Sequence, residues 1–218
     1  MAYSETRFVP ARGADLRAVI IGAAAAAILL IPAYVATRGP VAELTPLTSA
    51  HVKVETATGH GSATHIGDGL YVTAAHVVND VAAVKINGAE SAVLWANKTY
   101  DIALISGPSQ ADVVPLACYD AVVGEVGIAH GNPLQFTDIS TTLTVAGEAR
   151  TLNNWKLAMP MDGTMAGGMS GGGWVINGFL AGVNVGVALA PTPVGFPSYF
   201  GISVVVPSSV VCSLLGRS

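Results

Sequence analysis

The sequence predicts an all-β body closed by a short C-terminal helix and preceded by one apolar amino-terminal helix. Three observations carry that expectation. Beyond residue 48 the chain breaks into short apolar segments with turn residues about every 8–12 positions, the spacing of an antiparallel sheet protein. It holds 25 Gly and 12 Pro, enough for the many tight turns such a fold needs. Ahead of this body lies a single stretch with neither charge nor alternation. Apolar residues make up 51% of the chain and charged residues 11%, less than half the usual share of about 25%, which excludes a disordered protein.

The uncharged stretch covers residues 18–36, and as a helix its 19 residues would reach ~28 Å, close to the thickness of a bilayer's hydrocarbon core. Arg7, Arg12 and Arg17 precede it and only Arg38 follows closely, which orients the leading end towards the cytoplasm. The expected organisation is a cytoplasmic tail at 1–17, a membrane-spanning signal anchor at 18–36, a linker at 37–48 with Pro40 and Pro46, and an extracytoplasmic body at 49–218. Secretion after signal-peptide cleavage is the alternative. Signal peptides have shorter apolar regions of about 7–15 residues, and a cut after Ala36 would set bulky Tyr34 at the −3 position. A buried soluble helix is the third reading, and no amphipathic pattern supports it.

In the body, strands are expected at 51–56, 61–66, 70–74, 81–86, 92–95, 102–105, 125–129, 140–146, 157–160, 173–176, 182–185 and 201–205. Asp68-Gly69, Asn87-Gly88 and Asn177-Gly178 are dipeptides that accept positive φ, as tight hairpins require. Residues 207–215 read as the one helix, with Pro207 near its start and Ser208 or Ser209 as cap. A dozen strands are too many for one small sheet and enough for two barrels. From residue 44 onward there are six Lys/Arg and eleven Asp/Glu, a balance of −5, with no basic cluster, so nucleic-acid binding is not expected. Cys118 and Cys212 lie too far apart for a zinc knuckle; they are two buried thiols or one bridge.

Three stretches bear chemistry. Thr73 to Val78 (TAAHVV) ends a strand on a small-residue turn carrying His76; Tyr100 to Ile105 (YDIALI) opens an apolar strand with Asp101; Gly167 to Gly173 (GGMSGGG) sets Ser170 in a glycine-rich loop. A serine hydroxyl is a poor nucleophile until a base takes its proton. An imidazole does so near neutral pH, a carboxylate fixes its tautomer, and glycines let backbone N–H groups converge on a developing oxyanion. The order decides among triad folds. An α/β-hydrolase needs its acid and histidine after the serine, yet no His, Asp or Glu follows Ser170. The order Asp, His, Ser would need an acid such as Asp68 and parallel βα units, which are absent. What remains is His76, Asp101 and Ser170, with separations of 25 and 69 residues. That chemistry calls for no cofactor and no metal.

These three stretches resemble the signature segments of chymotrypsin-like serine peptidases. GSATHIGDGLYVTAAHVV and IAHGNPL are closest in style to small HtrA-type peptidases. The resemblance spans about residues 50–215. It implies two six-stranded antiparallel β-barrels with the site between them, His76 and Asp101 from the first and Ser170 from the second. It implies an oxyanion hole from the N–H groups of Gly168 and Ser170, and a peptide or protein substrate. By the same match Thr164 lies at the base of the primary pocket, and Asn184, Val185 and Gly186 form the wall along which substrate adds as a strand. Two departures stand out. Met169 occupies the place of an aspartate that in many members pairs with a newly cut amino terminus, so that activation route is not expected. No PDZ domain is expected after the body. With no acid beyond Ser170, a small or medium apolar side chain is the expected preference. Two other functions fit part of the pattern: an inactive peptide-binding barrel, and a membrane or particle protein that cuts only itself.

Overall fold

The computed structural model describes residues 48–190 and 198–217. The expected tail at 1–17, the membrane helix at 18–36 and all but the last residue of the linker lie outside the described residues. Among the described residues no helix is long and apolar enough to cross a membrane.

After a 3-10 turn at Thr48–Ala50 the chain forms β1 (His51–Glu55), β2 (His60–Gly67), β3 (Leu70–Thr73), the one-turn helix α1 (Ala75–Val78), β4 (Ala83–Ile86), β5 (Ala89–Asn97) and β6 (Ile102–Ser106). These six strands close into an antiparallel barrel in the order β1-β2-β3-β6-β5-β4. A long connection leads to β7 (Val126–Gly131), β8 (Ile139–Val145), β9 (Arg150–Leu152), β10 (Trp155–Asp162), β11 (Gly173–Ile176), β12 (Phe179–Ala190), β13 (Ser198–Pro207) and the helix α2 (Ser208–Leu214). This second sheet runs β13-β12-β11-β7-β8-β10-β9, and pairing of β13 with β10 bends six of its strands into a ring. The expected pair of six-stranded barrels therefore holds for the first. The second is a six-stranded ring extended by β9, a three-residue exposed strand with no alternation to betray it.

The turn chemistry follows the sequence. Asp68-Gly69 has φ of 53° and 68°, Asn87-Gly88 48° and 84°, and Asn177-Gly178 51° and 82°, the left-handed pairs that match hairpin twist. At α2 the N-cap is Pro207, extended at φ −66°, ψ 150°, rather than either serine. Ser209 Oγ bonds the Asp120 carboxylate instead, and Ser208 Oγ reaches the Tyr119 carbonyl at 3.4 Å.

Three apolar clusters organise the body. Val52, Val54, Tyr71, Val84, Ile86 and Ile105 fill the first barrel. Leu143, Met159, Met161, Met165, Met169 and Trp174 fill the second. Between them Val72, Ile102 and Leu104 of the first meet Val183, Val185, Val204 and Val211 of the second. The connection is fixed at its middle: Cys118 is disulfide-bonded to Cys212 of α2.

Candidate active site

His76 sits on α1, a single turn that follows β3 and ends at Asn79 in the left-handed region, φ 42°. Asp101 closes the β5–β6 turn, itself left-handed at φ 58°, a conformation aspartate tolerates better than most residues. Two adjacent strands of the first barrel thus deliver both groups to one rim, since β3 pairs with β6. His76 Nδ1 lies 2.7 Å from Asp101 Oδ2, and the His76 backbone N–H donates to Oδ1 at 2.9 Å. Ala75 N–H donates to the Asp101 carbonyl at 3.1 Å, so the turn and the helix are locked together. The Asp101 side chain is 11% exposed and that of His76 48%: the acid is sheltered while the imidazole faces the cleft. The cleft beside them has a volume of about 480 Å³ and is lined by His76, Asp101, Lys98, Asn154, Trp155 and Val185.

Ser170 is half-buried on the loop before β11. Its carbonyl accepts from Ser62 N–H of the first barrel at 2.8 Å. The next residue packs hard against the strand end that carries His76: a Cβ on Gly171 would stand 2.1 Å from Thr73 Oγ1 and 2.9 Å from Ala74 N. Among the described residues no hydrogen bond joins Ser170 Oγ to His76; such bonds often tighten only when substrate is bound. Gly168 has φ 97°, a conformation open to glycine, and the N–H groups of Gly168 and Ser170 donate to no other described residue. Met169, between them, is 2% exposed and belongs to the second core, so the loop is held by burial of a side chain.

Of the other expected residues, Thr164 is exposed on the loop after β10. Val185 lines the cleft next to His76, and Gly186 lies against the ring of Trp155. Asn184 is fully buried: its Nδ2 donates to the His130 carbonyl at 3.0 Å, and its backbone carbonyl accepts from Gly171 at 2.7 Å.

Two residues were invisible in the sequence. Ser62, fully buried, donates its hydroxyl to the Gly168 carbonyl at 2.8 Å and accepts from Asn132 N–H at 2.8 Å, holding the serine loop from the first barrel. A lone serine inside a glycine-led hairpin offers no signal for that task. Trp155 donates its Nε1–H to Asp101 Oδ2 at 3.0 Å. The Gly131-Asn132-Pro133 turn packs on the same loop: Leu134 N–H donates to the Gly167 carbonyl at 3.1 Å.

Behind the serine loop the rings of His51 and His130 stack at 4.1 Å, one from each barrel. Burial, and secondly the neighbouring imidazole of His130, push His51 from 6.5 down to about 3. Burial lowers His130 too, against the pull of the Asp138 carboxylate. Both are neutral at physiological pH, each bonded through Nδ1 to a hydroxyl, Thr64 at 3.0 Å and Ser140 at 2.9 Å.

A closed six-stranded antiparallel barrel and a second, ringed antiparallel sheet give the chain the fold of the trypsin-like serine proteases. Among solved structures the chain is similar to the Rv3671c protease of M. tuberculosis in an inactive form, with TM-score 0.64 and 20% identity over 82% of this chain and 95% of that one. It is similar also to the HtrA-type protease AlgW bound to a tripeptide, with TM-score 0.67 and 21% identity over 79% of this chain. A serine endoprotease from Yersinia pestis aligns with TM-score 0.61 and 24% identity over 78% of this chain. The chain spans 61% of the AlgW structure and 62% of the Yersinia one. No protein-family model and no curated protein matches the sequence.

Proposed function

We propose that the protein is a serine endopeptidase that hydrolyses peptide bonds through an acyl-enzyme. The observation that carries this reading is the 2.7 Å contact between His76 Nδ1 and Asp101 Oδ2 at the mouth of the cleft. An ionised carboxylate only accepts hydrogen bonds, so Nδ1 carries the proton and Nε2 keeps its lone pair. Nε2 takes the proton from Ser170 Oγ as the oxygen attacks the peptide carbonyl, then gives it to the leaving amine. Water repeats the sequence on the ester. Asp101 stays ionised and compensates the imidazolium. The N–H groups of Gly168 and Ser170 receive the oxyanion, each worth about 2.7–4 kcal/mol of barrier by analogy with such donors elsewhere. Thr164 lies towards the primary pocket, and the 184–186 segment of β12 flanks a peptide substrate.

We place residues 18–36 in a membrane with the peptidase body outside the cytoplasm. The disulfide between Cys118 and Cys212 supports that side, because such bridges persist in oxidising compartments. Protease protection of the full chain in vesicles checks it, and a body digested only from the cytoplasmic face overturns it.

Labelling by a fluorescent fluorophosphonate tests the enzyme. Wild type should label and Ser170→Ala should not; a wild type that stays unlabelled sinks the peptidase reading and leaves a peptide-binding barrel.

A further inference from the structure

We infer that Trp155 is a positioning residue for the proton-accepting pair, holding the Asp101 carboxylate from the opposite barrel. The inference rests on the peptidase reading for its consequence and on geometry for its substance.

Asp101 receives two bonds within the first barrel, and both come from His76: the backbone N–H on Oδ1 and Nδ1 on Oδ2. A carboxylate held only by the residue it must orient is free to rock with that residue. The Trp155 indole supplies a bond from elsewhere, Nε1–H to Oδ2 at 3.0 Å. Among the described residues it is the one side chain of the second barrel that donates to Asp101. Asn184 on β12 gives its amide to the His130 carbonyl instead.

The backbone around Trp155 is built for this reach. The β9–β10 hairpin turns on Asn153, left-handed at φ 48°. Its register then shifts between Trp155 and Ala158, the irregularity that redirects a side chain out of its strand's alternation. The next residue ties the same turn twice: Lys156 N–H donates to the Thr99 carbonyl at 3.2 Å, and its Nζ sits 5.2 Å from the centre of the Tyr100 ring. On the far side Gly186 gives the indole room, since a Cβ there would lie 2.9 Å from Trp155 Cζ2. The hairpin tip is thus clamped onto Thr99, Tyr100 and Asp101, and the indole N–H is aimed at the one charge among them.

The donor has a chemical consequence. A hydrogen bond to Oδ2 draws off part of the negative charge that would otherwise favour imidazolium. Without it the full negative charge is left facing the imidazole, and the carboxylate is no longer fixed in direction from the second barrel.

The test uses the full chain and a fluorophosphonate probe, comparing wild type with Trp155→Phe and with Trp155 replaced by β-(3-benzothienyl)alanine, an isostere that lacks the N–H. For the isostere the maximal labelling rate should fall about ten-fold or more, the scale of a bond to a charged group. The half-saturating probe concentration should hold, and the acid limb of the rate–pH profile should move to higher pH. An isostere that labels at the wild-type rate with an unmoved profile overturns the inference, since packing alone would then suffice. An independent readout needs no activity: Asp101→Asn should move the Trp155 indole N–H resonance upfield and speed its exchange. An unchanged indole signal overturns the bond even where labelling is lost. An unlabelled wild type counts against the peptidase reading alone, and the indole signal then decides the bond.

Discussion

The two barrels build their halves of the site from different materials. The first offers side chains: His76 and Asp101 project from short turns at the ends of paired strands over a core of Val, Ile and Tyr, whose stiff shapes fix the rim. The second offers backbone: a glycine-rich loop in which the N–H groups of Gly168 and Ser170 donate to no other described residue, seated on a core in which Met159, Met161, Met165 and Met169 are the flexible filler. Side-chain chemistry needs rigid support, while a backbone hole needs space and unusual φ. The two demands select opposite compositions.

The largest effect should come from crowding the backbone half. In Gly171→Ala the new Cβ meets the Ser62 carbonyl at 2.1 Å with φ at 85°, so the serine loop cannot dock. We expect a loss of more than about 3 kcal/mol in urea unfolding and no probe labelling. Gly88→Ala in a first-barrel hairpin has the same kind of φ, 84°, but open space around it, and should cost only about 1 kcal/mol. Equal costs for the two would break the comparison.

Opening the disulfide with Cys118→Ala and Cys212→Ala removes a 94-residue loop constraint and should cost about 2–5 kcal/mol, seen as a lower Tm. Acid acts next, at the joint of the barrels. His51 titrates near 6.5 unfolded and about 3 folded, so the unfolded chain binds the extra proton between those values. Stability is full above about pH 6.5 and falls as pH drops towards 3, by an amount on the order of 2–4 kcal/mol. Unfolding curves across that window, repeated on His51→Leu, should show the slope flattened in the variant. Met169→Ala should cost about 2–3 kcal/mol and slow labelling, because burial of that side chain holds the loop. The smallest change belongs to the first barrel's surface: Lys98→Ala breaks an ion pair to Asp80 whose side chains are 73% and 62% exposed, worth at most about 0.5 kcal/mol.

The first barrel was nearly all legible in sequence, because its strands end at Asp-Gly and Asn-Gly turns and β4 alternates outside and inside. The second was less so. The β9–β10 hairpin turns on Asn153 and Asn154 without a glycine, and its first strand is too short and exposed to show a period, so Trp155 read as no more than a residue before a strand. The contact of His76 with Asp101 was anticipated from residue types and order. The roles of Ser62 and Trp155 were not, because each depends on a bond between parts of the chain 106 and 54 residues apart. Local patterns carry no record of such meetings.

The Cys118–Cys212 bridge also has a topological meaning. It ties into one covalent ring a stretch that holds Ser170 and every strand of the second barrel. A backbone nick anywhere inside that ring leaves two chains still tethered, at an effective concentration on the order of millimolar. The severed halves would therefore re-dock rather than drift apart. A cut inside the ring would show on a reducing gel and pass unnoticed on a non-reducing one.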